Sequence, residues 1–167
     1  VSNREAPMPL VTPHNTNPLV DGRQSERAMA VRRGVQLLLT EMGAAHVPEL
    51  TLANGRRADL TALFKDGTIW IVEIKSSIED IKSDQKWPDY HDFCDQLYFA
   101  TLPDVSQALF PESCGFILAD DKGAAILRSS PTDRLNAARR KTLITRFGQF
   151  AANRLFHAEL SGYAPDS

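Results

Sequence analysis

Apolar positions Ala28, Val31, Val35, Leu38, Leu39 and Met42 recur three and four residues apart, which predicts an amphipathic helix over about residues 24–42. Ser25 serves as its N-cap and Gly43 as the glycine that ends it. Residues 45–52 read as a strand. Pro48 assigns that strand to a sheet edge, because proline cannot donate to a ladder. Two stronger strands follow, 57–64 and 68–75, joined by Lys65-Asp66-Gly67. A helical stretch is predicted over about 78–94 with an interruption near Pro88, then a buried strand over 97–102. Segments 115–120 and 124–128 form a second hairpin, and a long helix over about 133–160 closes the chain. The order helix, three strands, helix, strand, with a hairpin and helix added, is that of a mixed α/β domain. Residues 1–21 hold four prolines and no periodic apolar pattern, so they read as a loose tail before a single domain over 22–162.

The chemistry concentrates in the first hairpin. A three-residue loop ending at Gly67 places Phe64 opposite Thr68, Ala62 opposite Trp70, Leu60 opposite Val72 and Ala58 opposite Ile74. Those residues make one apolar face suited to packing under a helix. On the other face the same register sets Asp59 opposite Glu73, and Arg57 opposite Lys75. Cross-strand partners have Cβ atoms about 4.5–5.5 Å apart, and like charges so placed destabilise a sheet. A divalent cation offsets that repulsion directly. Lys75, two residues past Glu73, points to the same side and is placed to hold an attacking water or to balance charge on a phosphate. A slip of one residue would separate the two acids and end the argument.

Composition narrows the class without choosing the function. Of the 167 residues, 43% are hydrophobic and 24% charged, which excludes a mainly disordered chain, a collagen-like fibre and a small disulfide scaffold. Cys94 and Cys114 stand apart with no metal spacing, and His14, His46, His91 and His157 show none either. They are read as ordinary thiols and histidines. No apolar run reaches membrane-spanning length and the N-terminus lacks the order of a signal peptide, so the expectation is a cytoplasmic protein that needs no membrane. The formal charge of −2 does not advertise a nucleic-acid binder, yet it is unevenly spread. Acids dominate residues 73–95 and bases dominate 133–154, which suits a metal-dependent site acting on a polyanion and equally suits solvated faces.

Asp59 followed by Glu73-Ile74-Lys75 on a second strand resembles the PD-(D/E)xK nuclease pattern, and the element order resembles that superfamily's αβββαβ core. The fold so implied is a restriction-endonuclease-like mixed sheet flanked by helices, with the C-terminal hairpin and long helix as additions. The local text is similar to the MmcB family of bacterial DNA-repair proteins at residues 55–60, 69–77, 84–90 and 93–95 and in the basic run Ala138-Arg139-Arg140-Lys141. That resemblance implies Asp59 and Glu73 as ligands of Mg²⁺ or Mn²⁺, helped by the Ile74 carbonyl, and Lys75 as a catalytic group. It departs from the superfamily at Ala58, where a proline is usual, and at Tyr90, which lies five residues after Gln85. A first-helix acid is often an extra ligand, for which Glu26 and Glu41 are the candidates.

Arg56 and Arg57, beside the acids, are candidates for holding a phosphate, or for pairing the carboxylates when no metal is bound. Lys86, Trp87 and Tyr90 offer a cation and aromatic rings that would meet a phosphate and stack on a base; the alternative is a helix that packs Trp87 into the core. Arg139, Arg140 and Lys141 cannot all share one helix face, so they read either as a solvated surface or as phosphate contacts. Two functions of different class therefore stand: metal-dependent hydrolysis of DNA during repair, or a non-catalytic DNA-binding or recruiting module on the same scaffold. A third reading reduces the acids and Lys75 to a structural ion cluster. DNA is the expected partner, with other repair proteins and a second copy of the chain compatible with either function.

Overall fold

The computed structural model describes residues 25–162; the expected tail over 1–21, with His14, lies outside the described residues. Six strands form one sheet in sequential order. They are β1 (Ala45–Thr51), β2 (Arg57–Leu63), β3 (Ile69–Ile74), β4 (Gln96–Thr101), β5 (Gly115–Asp120) and β6 (Gly123–Arg128). β1 to β3 are antiparallel, β4 runs parallel to β3 and β5 parallel to β4, and β6 returns antiparallel. β1 lies at the edge, as Pro48 requires. β3 and β4 are buried along nearly their whole length, as parallel strands covered on both faces must be.

One face is covered by α1 (Glu26–Glu41), whose N-cap Ser25 accepts from the Ala28 amide. Val31, Val35 and Leu39 meet Leu60, Ala62, Trp70, Val72 and Tyr98 there. α1 approaches the β5–β6 turn closely because residue 34 is glycine: a Cβ there would lie 2.1 Å from the Asp120 carbonyl oxygen. The opposite face packs Ile69, Ile71, Leu97 and Phe99 against Tyr90, Phe110, Leu143 and Phe147. Leu143 and Phe147 belong to α3 (Ala137–Leu160).

Three expected elements differ in extent or packing. The stretch over 78–94 divides into α2 (Ile78–Ser83) and a 3₁₀ helix (Trp87–Phe93). Asp84 leaves helical geometry at ψ 99°, and its side chain accepts from the Lys86 and Trp87 amides, so the break precedes Pro88. α3 begins at Ala137 rather than near 133, because Asp95 holds the preceding residues: its backbone carbonyl accepts from the Asp133 amide and its carboxylate from the Leu135 amide. The apolar face of the first hairpin stops short of Ala58. There β2 pairs with Leu50 of β1, and Ala58 groups with the opposite cluster.

Candidate functional site

Leu60↔Val72, Thr61↔Ile71, Ala62↔Trp70 and Leu63↔Ile69 are the β2–β3 partners, the register read from the sequence. Beyond Leu60 and Val72 the two strands part, and side chains take over the bonding. Glu73 Oε1 accepts from the Asp59 amide at 3.1 Å, and Asp59 Oδ2 accepts from the Ile74 amide at 2.8 Å. Each acid thus reaches across to the other's strand, and both line one cavity of about 490 Å³ with Ile74 and Lys75. Glu73 is only 4% exposed. Burial raises the Asp59 carboxyl to about 6, against the pull of the Ile74 amide and Lys75. Burial, and then the charge of Asp59, push Glu73 well above its ordinary value. Both carboxyls therefore hold a proton more readily than usual, because their surroundings do not balance a negative charge there.

Three of the cations close by have a partner of their own. Lys75 Nζ lies 2.6 Å from Asp84 Oδ2, both side chains being 13% exposed. Burial works against the Lys75 charge, but the Asp84 bond and the charges of Glu73, Asp84 and Asp59 outweigh it and hold its pKa above the usual value. Arg57 Nε is 2.5 Å from Glu49 Oε2, and Arg56 Nη2 is 3.0 Å from Asp89 Oδ2. Among the described residues, no side-chain cation hydrogen-bonds or ion-pairs directly with Asp59 or Glu73. Arg57 does not neutralise the acids, and the lysine of the E-x-K triplet answers to a residue nine positions further on.

The remaining expected residues divide. Lys86 is exposed at the cavity wall. Tyr90 lines the cavity but is only 7% exposed, packs in the core and donates its hydroxyl to the Arg57 carbonyl at 3.0 Å, so little of the ring is left for a base. Trp87 likewise packs inward, with its ring 5.8 Å from Phe99. Glu26 and Glu41 do not line the cavity; α1 presents Ser25, Ala28 and Arg32 there instead. In the basic run, Arg140 is committed to Asp95 through two bonds of 2.7 Å, and Arg139 donates to the Asp92 carbonyl and lies 5.5 Å from the Phe93 ring centroid.

Among the cavity's charged residues, Arg32 and Glu49 were not named from the sequence, and Asp84 was given no role there. Glu49 reaches it from β1 because the edge strand kinks there: its φ of 59° falls between the partners Pro48↔Leu60 and Leu50↔Ala58. A glutamate in that left-handed region is uncommon and strained. Pro48 beside it was the one local hint of irregularity. Asp84 reaches the cavity by ending α2, and nothing in its local pattern ties it to Lys75.

Among the described residues, no group of three or more His, Cys, Asp and Glu side chains gathers as a metal cage. The donors at the acid pair are carboxylate oxygens, which suit a hard divalent cation that keeps part of its water shell. Their desolvated, mutually repelling charge fits such an ion. No helix among the described residues is long and apolar enough to cross a membrane.

A helix-flanked mixed sheet, with a part-buried and a buried acid meeting where its antiparallel strands part, defines an α/β domain with a polar cavity at the strand ends. The chain belongs to the MmcB-like DNA repair protein family, whose family model matches residues 15–162. It is also similar to a solved structure, the SPO1766 protein of unknown function from Silicibacter pomeroyi. The two share 34% identity with a TM-score of 0.78, over 86% of this chain and 97% of that one. No curated protein matches.

Proposed function

We propose that this protein is a restriction-endonuclease-like, PD-(D/E)xK-type domain that hydrolyses DNA phosphodiesters with the help of Mg²⁺ or Mn²⁺. The observation that carries the reading is the Asp59–Glu73 pair: a part-buried and a buried carboxylate in one cavity, bonded to backbone amides and, among the described residues, to no cation. Membership of a DNA repair family supports DNA as the substrate. Asp59 and Glu73, with the Ile74 carbonyl, would hold the ion. When bound, it supplies a Lewis acid for the scissile phosphate and a bound water of lowered pKa. Lys75 orients the attacking water or offsets charge developing on the phosphate. Arg57, exposed beside the acids, with Arg56, a third exposed, and Lys86 at the wall supply positive charge along which a phosphate backbone lies.

Purified protein incubated with Mn²⁺ on single- and double-stranded DNA tests the reading. Cleavage is expected from the wild type and not from Glu73→Ala. Equal cutting by both would remove the mechanism.

One observation favours the non-catalytic DNA-binding module. Lys75, the group asked to serve hydrolysis, is held by Asp84 at 2.6 Å. The two readings part on metal titration, because a module that only binds DNA has no need of a Mn²⁺ affinity that Asp59→Asn abolishes.

A further inference from the structure

Lys75 is the group best placed to cancel the acid pair without a metal. It follows Glu73 by two residues on the same strand end, and its side chain is 13% exposed in the same cavity. An ammonium there gains most by closing on Glu73 or Asp59, two carboxylates that no other cation among the described residues bonds. It does not do so. Its Nζ sits on Asp84 Oδ2 at 2.6 Å.

Asp84 is itself immobilised. Its other oxygen, Oδ1, accepts from the Lys86 amide at 2.9 Å and from the Trp87 amide at 3.1 Å, which opens the 3₁₀ helix. The carboxylate cannot follow Lys75 toward the acids without surrendering both bonds. It was put in this place by the early end of α2. Arg57, the second cation beside the pair, is likewise held away, by Glu49 at 2.5 Å.

We propose that Asp84 is a positioning residue that tethers Lys75 away from the Asp59–Glu73 carboxylates, keeping the pair open for a divalent cation instead of an internal salt bridge. This rests on the reading that Asp59 and Glu73 hold that cation. Lys75 stays close enough to serve the reaction while its charge does not compete for the ion's ligands. With Asp84 gone, the ammonium swings onto the acids and becomes the ion's competitor.

The test is Mn²⁺ affinity without DNA, by calorimetry or by electron paramagnetic resonance of the free ion, for wild type, Asp84→Asn, Lys75→Met and the double variant. Asparagine keeps an Oδ1 acceptor for the Lys86 and Trp87 amides, so the start of the 3₁₀ helix is retained. The expected result is a loss of about tenfold in Mn²⁺ affinity for Asp84→Asn, and none when Lys75 is already methionine. Lys75→Met alone should bind the ion at least as tightly as the wild type. If Asp84→Asn leaves affinity unchanged, or weakens it equally with and without Lys75, the tether is wrong while the cation site stands. A wild type with no Mn²⁺ affinity overturns the cation site and the tether together.

Discussion

Replacing Asp59 by asparagine should make the metal-free protein more stable at neutral pH, because the substitution removes a charge the fold holds at a cost. Asparagine keeps an oxygen to accept from the Ile74 amide, so the strand-end hydrogen bond survives. The Asp59 carboxyl is raised from 3.8 to about 6, chiefly by burial. At about 1.4 kcal/mol per pKa unit, holding it ionised costs roughly 3 kcal/mol. A group raised on folding binds its proton more tightly in the native state. The penalty is therefore fully present above about pH 6 and gone below about pH 4, near the unfolded value. Glu73 is raised as well, in part by the charge of Asp59, and its shift acts in the same direction. Urea denaturation and thermal scans of wild type and Asp59→Asn in a chelating buffer measure the difference. At about pH 7.5 the variant should be more stable by about 3 kcal/mol, which for a domain of this size is a Tm higher by about 10 °C. The gap should close as pH falls to about 4. Saturating Mn²⁺ should also narrow it, by stabilising the wild type alone. A variant no more stable than the wild type at neutral pH, or a gap that persists in acid, would refute the claim of an uncompensated buried charge.

Three further outcomes are expected. Gly34→Ala should cost about 3 kcal/mol in urea denaturation, because the new Cβ meets the backbone oxygens of Asp120 and Gly123 at 2.1 and 2.4 Å and α1 must back away from β5 and β6; unchanged stability would show that the helix does not seat this closely. Asp95→Ala should cost about 3–5 kcal/mol by the same measurement, since it strips the Ile69 and Leu135 amides of their side-chain acceptor and removes the Arg140 counter-charge at a site 3% exposed, leaving Arg140 only the Gly67 and Leu135 carbonyls. Arg57→Ala should weaken DNA binding in a fluorescence-anisotropy titration and reduce the slope of log affinity against log salt by about 1; an unaltered slope would remove Arg57 from the phosphate path.

Much of the fold was legible because its signals are local. The three-four spacing in α1, the period-two pattern of β2 and β3 and the glycine at the turn each act over a few residues. Gly67, at φ 85° with its amide donating to the Phe64 carbonyl, closes the turn and brings Phe64 and Thr68 opposite one another. From there the ladder runs to Leu60 and Val72, and the next residues, Asp59 and Glu73, meet through bonds to each other's strand amides after the regular pleat has ended. The helix boundaries were less legible. Asp84 and Asp95 set the end of α2 and the start of α3 through side-chain contacts, and an aspartate in sequence does not announce which amides it will hold.

What the chain determined unaided is therefore the order of its elements, the register of the first hairpin and the meeting of two acids, since alternation and turn geometry need no distant partner. Only the tertiary structure decided which charge answers which. Arg57 with Glu49, Arg56 with Asp89, Lys75 with Asp84 and Arg140 with Asp95 are pairings between separate elements, made where the strand-end kink at Glu49, the early end of α2 and the seating of α3 bring them within reach. An ion pair depends on a few ångströms between side chains, and that distance is set by how the layers pack.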